Sequence, residues 1–173
     1  VRHSAQDDVR ALLDGIRHSV KLFQQGRDWG ALQRRHGILG LIRAVEITHG
    51  QHGWHPHHHV LIFMDRSLSD EDREVLRGAL SARWRGVVTR SGLGEPHEPD
   101  DLHGCCLTPV RQSEYLSKLG LEVADIFTKR GRVAGSRTPL QIAHDIMVHR
   151  GRVADVVLWR SYCAAMKGVR FLS

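Results

Sequence analysis

Two runs of strand-forming residues, joined by a glycine-containing stretch, dominate the middle of the chain. Ile38 to Thr48 is rich in Ile, Leu and Val, and His57 to Met64 contains Val60-Leu61-Ile62-Phe63. His49 to Trp54, with two glycines, reads as the loop between them. Strands joined by so short a connection pair antiparallel, because a parallel pair needs a long crossover. The fold must therefore be built around a hairpin.

Helical patterns lie before and after it. Val9, Leu12, Leu13, Ile16, Val20 and Phe23 recur at helical spacing, with Asp7 and Asp8 at the start and Gly26 at the end. A short helix is expected over Trp29 to Arg35, stopped at Gly37. Ser69 and Asp72 resemble a capping box for a helix whose apolar side is Val75, Leu76, Leu80 and Trp84. Gly92 to Asp100 reads as an exposed loop, and Leu102 to Val110 as a third strand. Gln112 to Phe127 places Tyr115, Leu116, Leu119, Val123 and Ile126 at helical spacing. A basic loop follows, Lys129 to Arg137. Thr138-Pro139 then opens another helix, with Thr as N-cap and Pro at the first position. A last helix is expected from Val153 to Met166, ending at Gly168. The order predicts an α+β fold, a central antiparallel β-sheet flanked by helices. Three strands make a thin sheet, so one or two more are expected.

The second strand opens with an unusual segment, Gly53-Trp54-His55-Pro56-His57-His58-His59. Alternate side chains of a strand share a face, so His57 and His59 project side by side. Two neutral imidazoles at that spacing can grip one divalent metal. His55 joins them if the strand extends back past Pro56. His58 points to the opposite face. Mn²⁺ and Mg²⁺ prefer oxygen donors, so a carboxylate is expected to complete the set. Glu46, in the apolar run Ala44-Val45-Glu46-Ile47 of the paired strand, is the candidate. An ionised acid in such a run is costly unless a partner compensates it. His49 and His52 fall in the loop.

At 173 residues the chain is long enough for one domain, residues 1–173, with a substantial core. A formal charge of +6 and a pI near 9.8 lean towards a polyanionic partner, nucleic acid being the usual one. Arg43, Lys129, Arg130, Arg132 and Arg137 are the candidate phosphate contacts. Cys105, Cys106 and Cys163 form no C-x-x-C pair and no disulfide framework; reduced thiols in a cytoplasm fit best. No run is apolar enough to span a membrane. The chain opens on Val1, and is expected to be a fragment of a longer protein.

Arg43-Ala44-Val45-Glu46-Ile47-Thr48-His49-Gly50 with Gly53-Trp54-His55-Pro56-His57-His58-His59 resembles the metal motif of rolling-circle replication initiators. These are the Rep proteins of small plasmids, members of the HUH (His-hydrophobe-His) endonucleases. Glu114-Tyr115-Leu116-Ser117-Lys118 resembles their catalytic tyrosine motif. Gly135-Ser136-Arg137-Thr138-Pro139, Leu158-Trp159-Arg160-Ser161-Tyr162 and Lys167-Gly168 resemble the C-terminal part of actinobacterial plasmid Reps. Three departures stand out. His58 replaces the hydrophobe. The family's strand with a Thr-Leu-Thr-like motif, which would precede Val1, is absent. Arg111 stands where a glutamate often precedes the tyrosine by four residues.

The resemblance implies metal-dependent nicking and joining of single-stranded or hairpin origin DNA, in a bacterial cytoplasm, alongside a host helicase. It implies Tyr115 as nucleophile, Lys118 beside it, and Glu46, His57 and His59 as ligands of Mn²⁺ or Mg²⁺. An HUH transposase or relaxase would share these motifs. A noncatalytic nucleic-acid-binding module holding structural zinc is the alternative from another class. Tyr162, the only other tyrosine, reads as a packing residue of the last helix.

Overall fold

A computed structural model describes residues 4–93, 105–110, 135–149 and 151–169. The elements over these residues are α1 (Val9–Phe23), α2 (Gly26–His36), β1 (Ile38–Gly50), β2 (Gly53–Met64), α3 (Asp70–Arg90), α4 (Pro139–Val148) and α5 (Val153–Ala165). The expected helix over Gln112 to Phe127 lies outside the described residues, as do most of the Gly92–Asp100 loop and of the basic loop.

The helix boundaries follow local chemistry. Asp8 caps α1 by accepting from the Ala11 amide at 2.9 Å. Ser69 caps α3 through the Asp72 amide at 3.0 Å. Thr138 and Gln141 form a reciprocal capping box at the start of α4. Arg83 of α3 donates to the carbonyls of Phe23 and Gln25, at 2.7 Å each, so carbonyls at the end of α1 are satisfied by a side chain from another helix. Helix α2 begins at Gly26, three residues before the expected start.

Gly37 ends α2 in the left-handed region, φ 73°, and a Cβ there would collide with the Asp65 carboxylate. The positive φ is what demands glycine, since the half-exposed Asp65 carboxylate can turn aside. Gly37→Ala is expected to destabilise the fold by roughly 1–3 kcal/mol, read as a lower urea midpoint at unchanged slope.

The strands pair antiparallel, with Glu46 opposite His57, Ala44 opposite His59, Val45 opposite His58 and Thr48 opposite His55. The expected six-residue loop is corrected: only Gln51 and His52 lie outside the strands, because pairing continues to Gly50 and Gly53. The expected third strand is also corrected in its described part, since Cys105–Val110 adopts no strand. Among the described residues the sheet has two strands.

Both core clusters draw on one face of this hairpin. Ile47 and Trp54, with Val45, pack under Val9, Leu12 and Leu13 of α1, Ile142 of α4 and Ala165 of α5. Ile38, with Leu41 and Ile62, packs against Trp29 of α2 and Leu76 and Leu80 of α3. An irregularity between Ile38 and Gly40 takes up one residue. Ile38 and Leu41, which strict alternation would set on opposite faces, therefore reach the same cluster. Val75, expected on the apolar side of α3, is instead exposed. Each fully buried Leu or Ile contributes about 1.5–3 kcal/mol. The opposite face presents Ala44, Glu46, Thr48, His55, His57, His59 and Leu61, each exposed or half-buried.

Candidate metal centre

The hairpin places an acid and two imidazoles together. Glu46 Oε2 accepts from His57 Nε2 at 2.9 Å and from His59 Nε2 at 2.5 Å. One donor atom from each residue lies within 4.8 Å of the other two. The side chains are 30–36% exposed, so the cluster opens to solvent on one side. The two hydrogen bonds from His57 and His59 hold the Glu46 carboxyl far below the usual carboxylate range, against the opposing effect of burial. Glu46 is therefore ionised at neutral pH.

An ion about 2.1 Å from each of three donors needs them roughly 3–4 Å apart. The three atoms that hydrogen-bond here are the ones an ion would gather. One carboxylate oxygen and two imidazole nitrogens form a borderline donor set that suits first-row divalent cations, with open positions for further oxygen ligands. The residues present thus fit a bound metal. Four closed ligands, commonly with thiolates, would be expected of structural zinc. Among the described residues the cluster has three ligands and no cysteine.

His58 points to the opposite face, beside Arg43; neither ring nitrogen makes a well-formed hydrogen bond among the described residues, the Ala44 backbone offering only a weak one. Burial, then the Arg43 charge, push its pKa down to about 4. An unpartnered buried polar group costs about 1–3 kcal/mol, so His58→Leu is expected to raise stability by about 1 kcal/mol in urea unfolding.

The remaining candidates are placed as follows. Tyr115, Lys118, Lys129, Arg130 and Arg132 lie outside the described residues. Arg43 alternates with Glu46 and sits on the helix-covered face. Arg137 is half-buried and donates to Asp145 at 2.8 Å and Asp155 at 2.7 Å. Its backbone forms a bridge with His49, pinning the end of β1 to α4 and α5. Two acids therefore neutralise a side chain that composition alone marked as a phosphate contact. His49, expected in the loop, is a strand residue packed on Trp54 with ring centroids 4.8 Å apart. Tyr162 stacks on Trp54 at 6.0 Å and tilts against Trp159 at 5.7 Å. Burial raises its pKa, and Trp54 sets it on the face away from Glu46.

Sequence reasoning left His55 ambiguous. β2 does extend back past Pro56, and the His55 ring stacks on His57. The period of the strand carried that signal; the uncertain strand start hid it.

The site is therefore a carboxylate–imidazole group of the class that could hold a divalent metal. A Streptomyces lividans protein described as "Protein rep" is 28% identical over an aligned 210 residues, which cover 90% of this chain and 44% of that protein. The chain spans less than half the length of that relative. No family model matches the chain. No solved structure matches it. Among the described residues no helix is long and apolar enough to cross a membrane.

Proposed function

We propose that this chain is the DNA-nicking domain of a plasmid replication initiator of the HUH type. It cuts and rejoins single-stranded or hairpin origin DNA to start rolling-circle replication. The observation that carries the reading is the convergence of Glu46, His57 and His59 on the open face of the hairpin. The similarity to a Streptomyces protein named for replication supports it.

In this reading the Tyr115 hydroxyl attacks a phosphodiester. The phenol loses its proton, the P–O3′ bond breaks, a 5′-phosphotyrosine bond forms, and a 3′-hydroxyl leaves to prime synthesis. The reverse attack by a 3′-hydroxyl rejoins strands. A phenol with a pKa of about 10 is a weak nucleophile near neutrality. Bound Mn²⁺ or Mg²⁺ would supply Lewis-acid polarisation of the phosphate. Glu46, His57 and His59 would hold that ion on a rigid two-stranded platform, whose other face is anchored to α1 and α3. An α-helix over this segment, as expected from its apolar spacing, would set Lys118 one turn from Tyr115, where its ammonium would stabilise the phenolate or a phosphate oxygen. Lys129, Arg130 and Arg132 are the proposed contacts to the DNA backbone, Arg43 being on the face away from the metal site. A bacterial cytoplasm, where a helicase opens the plasmid, is the setting.

The test is a labelled pool of single-stranded oligonucleotides incubated with Mn²⁺ and resolved on a denaturing gel. A tyrosine-linked adduct that needs metal supports the reading. DNA binding with no adduct under any divalent ion would favour the noncatalytic module.

A further inference from the structure

We propose that His55 is a positioning residue for the metal centre: its ring stacks on His57 and holds that imidazole with Nε2 turned to Glu46. The inference rests on the metal-site reading above.

His57 is the middle of three rings on one strand. His55 lies against it with centroids 5.4 Å apart and planes 29° from parallel. His59 meets it from the other side, edge-on, at 4.9 Å and 62°. Glu46 stands directly opposite His57 in the register. A metal-binding imidazole is normally oriented by a hydrogen bond at its second nitrogen. Here His57 Nδ1 is buried with no such partner among the described residues. The stacked ring of His55 supplies the orientation instead. His55 is exposed and lies outside the group of donor atoms that Glu46, His57 and His59 bring within 4.8 Å of one another. Its influence therefore passes through His57.

The experiment measures Mn²⁺ affinity by calorimetry for the wild type, His55→Ala, His55→Phe, Glu46→Gln and His59→Ala, with the His57 imidazole nitrogen shifts followed by NMR. His55→Ala is expected to weaken Mn²⁺ about tenfold, in the range for loss of a ligand's support. It should also broaden or shift the His57 signals before metal is added. His55→Phe keeps a flat ring without nitrogen, and is expected to restore affinity to within about twofold of wild type, since ring-on-ring stacking needs no nitrogen. An unchanged affinity in His55→Ala overturns the inference alone. So does a His55→Phe variant as weak as the alanine one, because a nitrogen would then be what matters. Wild-type affinity in Glu46→Gln and His59→Ala would instead overturn the metal-site reading, and this inference with it.

Discussion

Tyr115→Phe is expected to abolish the covalent protein–DNA adduct while leaving DNA binding within a few-fold. The substitution keeps the ring and removes only the oxygen that would bond phosphorus. A nucleophile has no partial substitute, so the loss should be complete on a denaturing gel rather than graded. On the proposed reading, binding would be carried by contacts to the DNA backbone from other side chains. Tyr162→Phe is the matched control. That ring is stacked on Trp54, on the opposite face of the hairpin from Glu46, so its hydroxyl has no route to a phosphate held there. Adduct formation by Tyr115→Phe, or its loss in Tyr162→Phe, would move the nucleophile and sink the assignment.

Glu46→Gln carries the second large effect. The variant keeps size and shape but removes the one negative charge of the cluster. Two imidazoles and a neutral amide then face the cation. Mn²⁺ affinity should fall ~10–100-fold, the range seen when a metal loses a contact or its support. Cleavage should fall with it and partly recover at higher metal concentration, because His57 and His59 remain. His58→Ala should leave metal binding near wild type, since that ring leaves the opposite face. Titration of Mn²⁺ into the three proteins separates these outcomes. An unchanged Mn²⁺ affinity in Glu46→Gln would show that the acid merely accepts hydrogen bonds from the histidines.

Much of the candidate site could be read from the residues because it is local. Strand alternation puts His57 and His59 on one face, and a tight hairpin brings Glu46 beside them. The central position of Gln51 and His52 in the connecting stretch sets the register at Glu46 and His57 even when the loop is drawn too long. A slip of one residue would have turned every side chain of β2 to the other face. Caps were legible at Ser69 and Thr138, each of which bonds an amide three residues ahead, while the sequence offered Asp7 and Asp8 only as favourable acids and the structure makes Asp8 the cap. A third strand was not legible. Leu102 to Val110 has the composition of a strand, but its described part lacks a paired neighbour, and an isolated β pattern does not hold itself together.

The sequence alone thus determined the hairpin, the helix caps and the grouping of Glu46, His57 and His59, because each depends on residues within about one turn or one hairpin of each other. Tertiary structure decided the rest. Arg137 looks like a free cation in a basic loop, yet Asp145 and Asp155 from two helices close on it and turn it into a tether for β1. Tyr162 reads as a packing residue from its sequence, but only the fold supplies its partner, Trp54, more than a hundred residues earlier. His55 stays ambiguous between ligand, supporting partner and loop residue until the ladder continues through Pro56 and sets its ring on His57. Charge, reactivity and exposure at these positions depend on what packs against them, and no local pattern in a sequence encodes a neighbour that arrives from a distant segment.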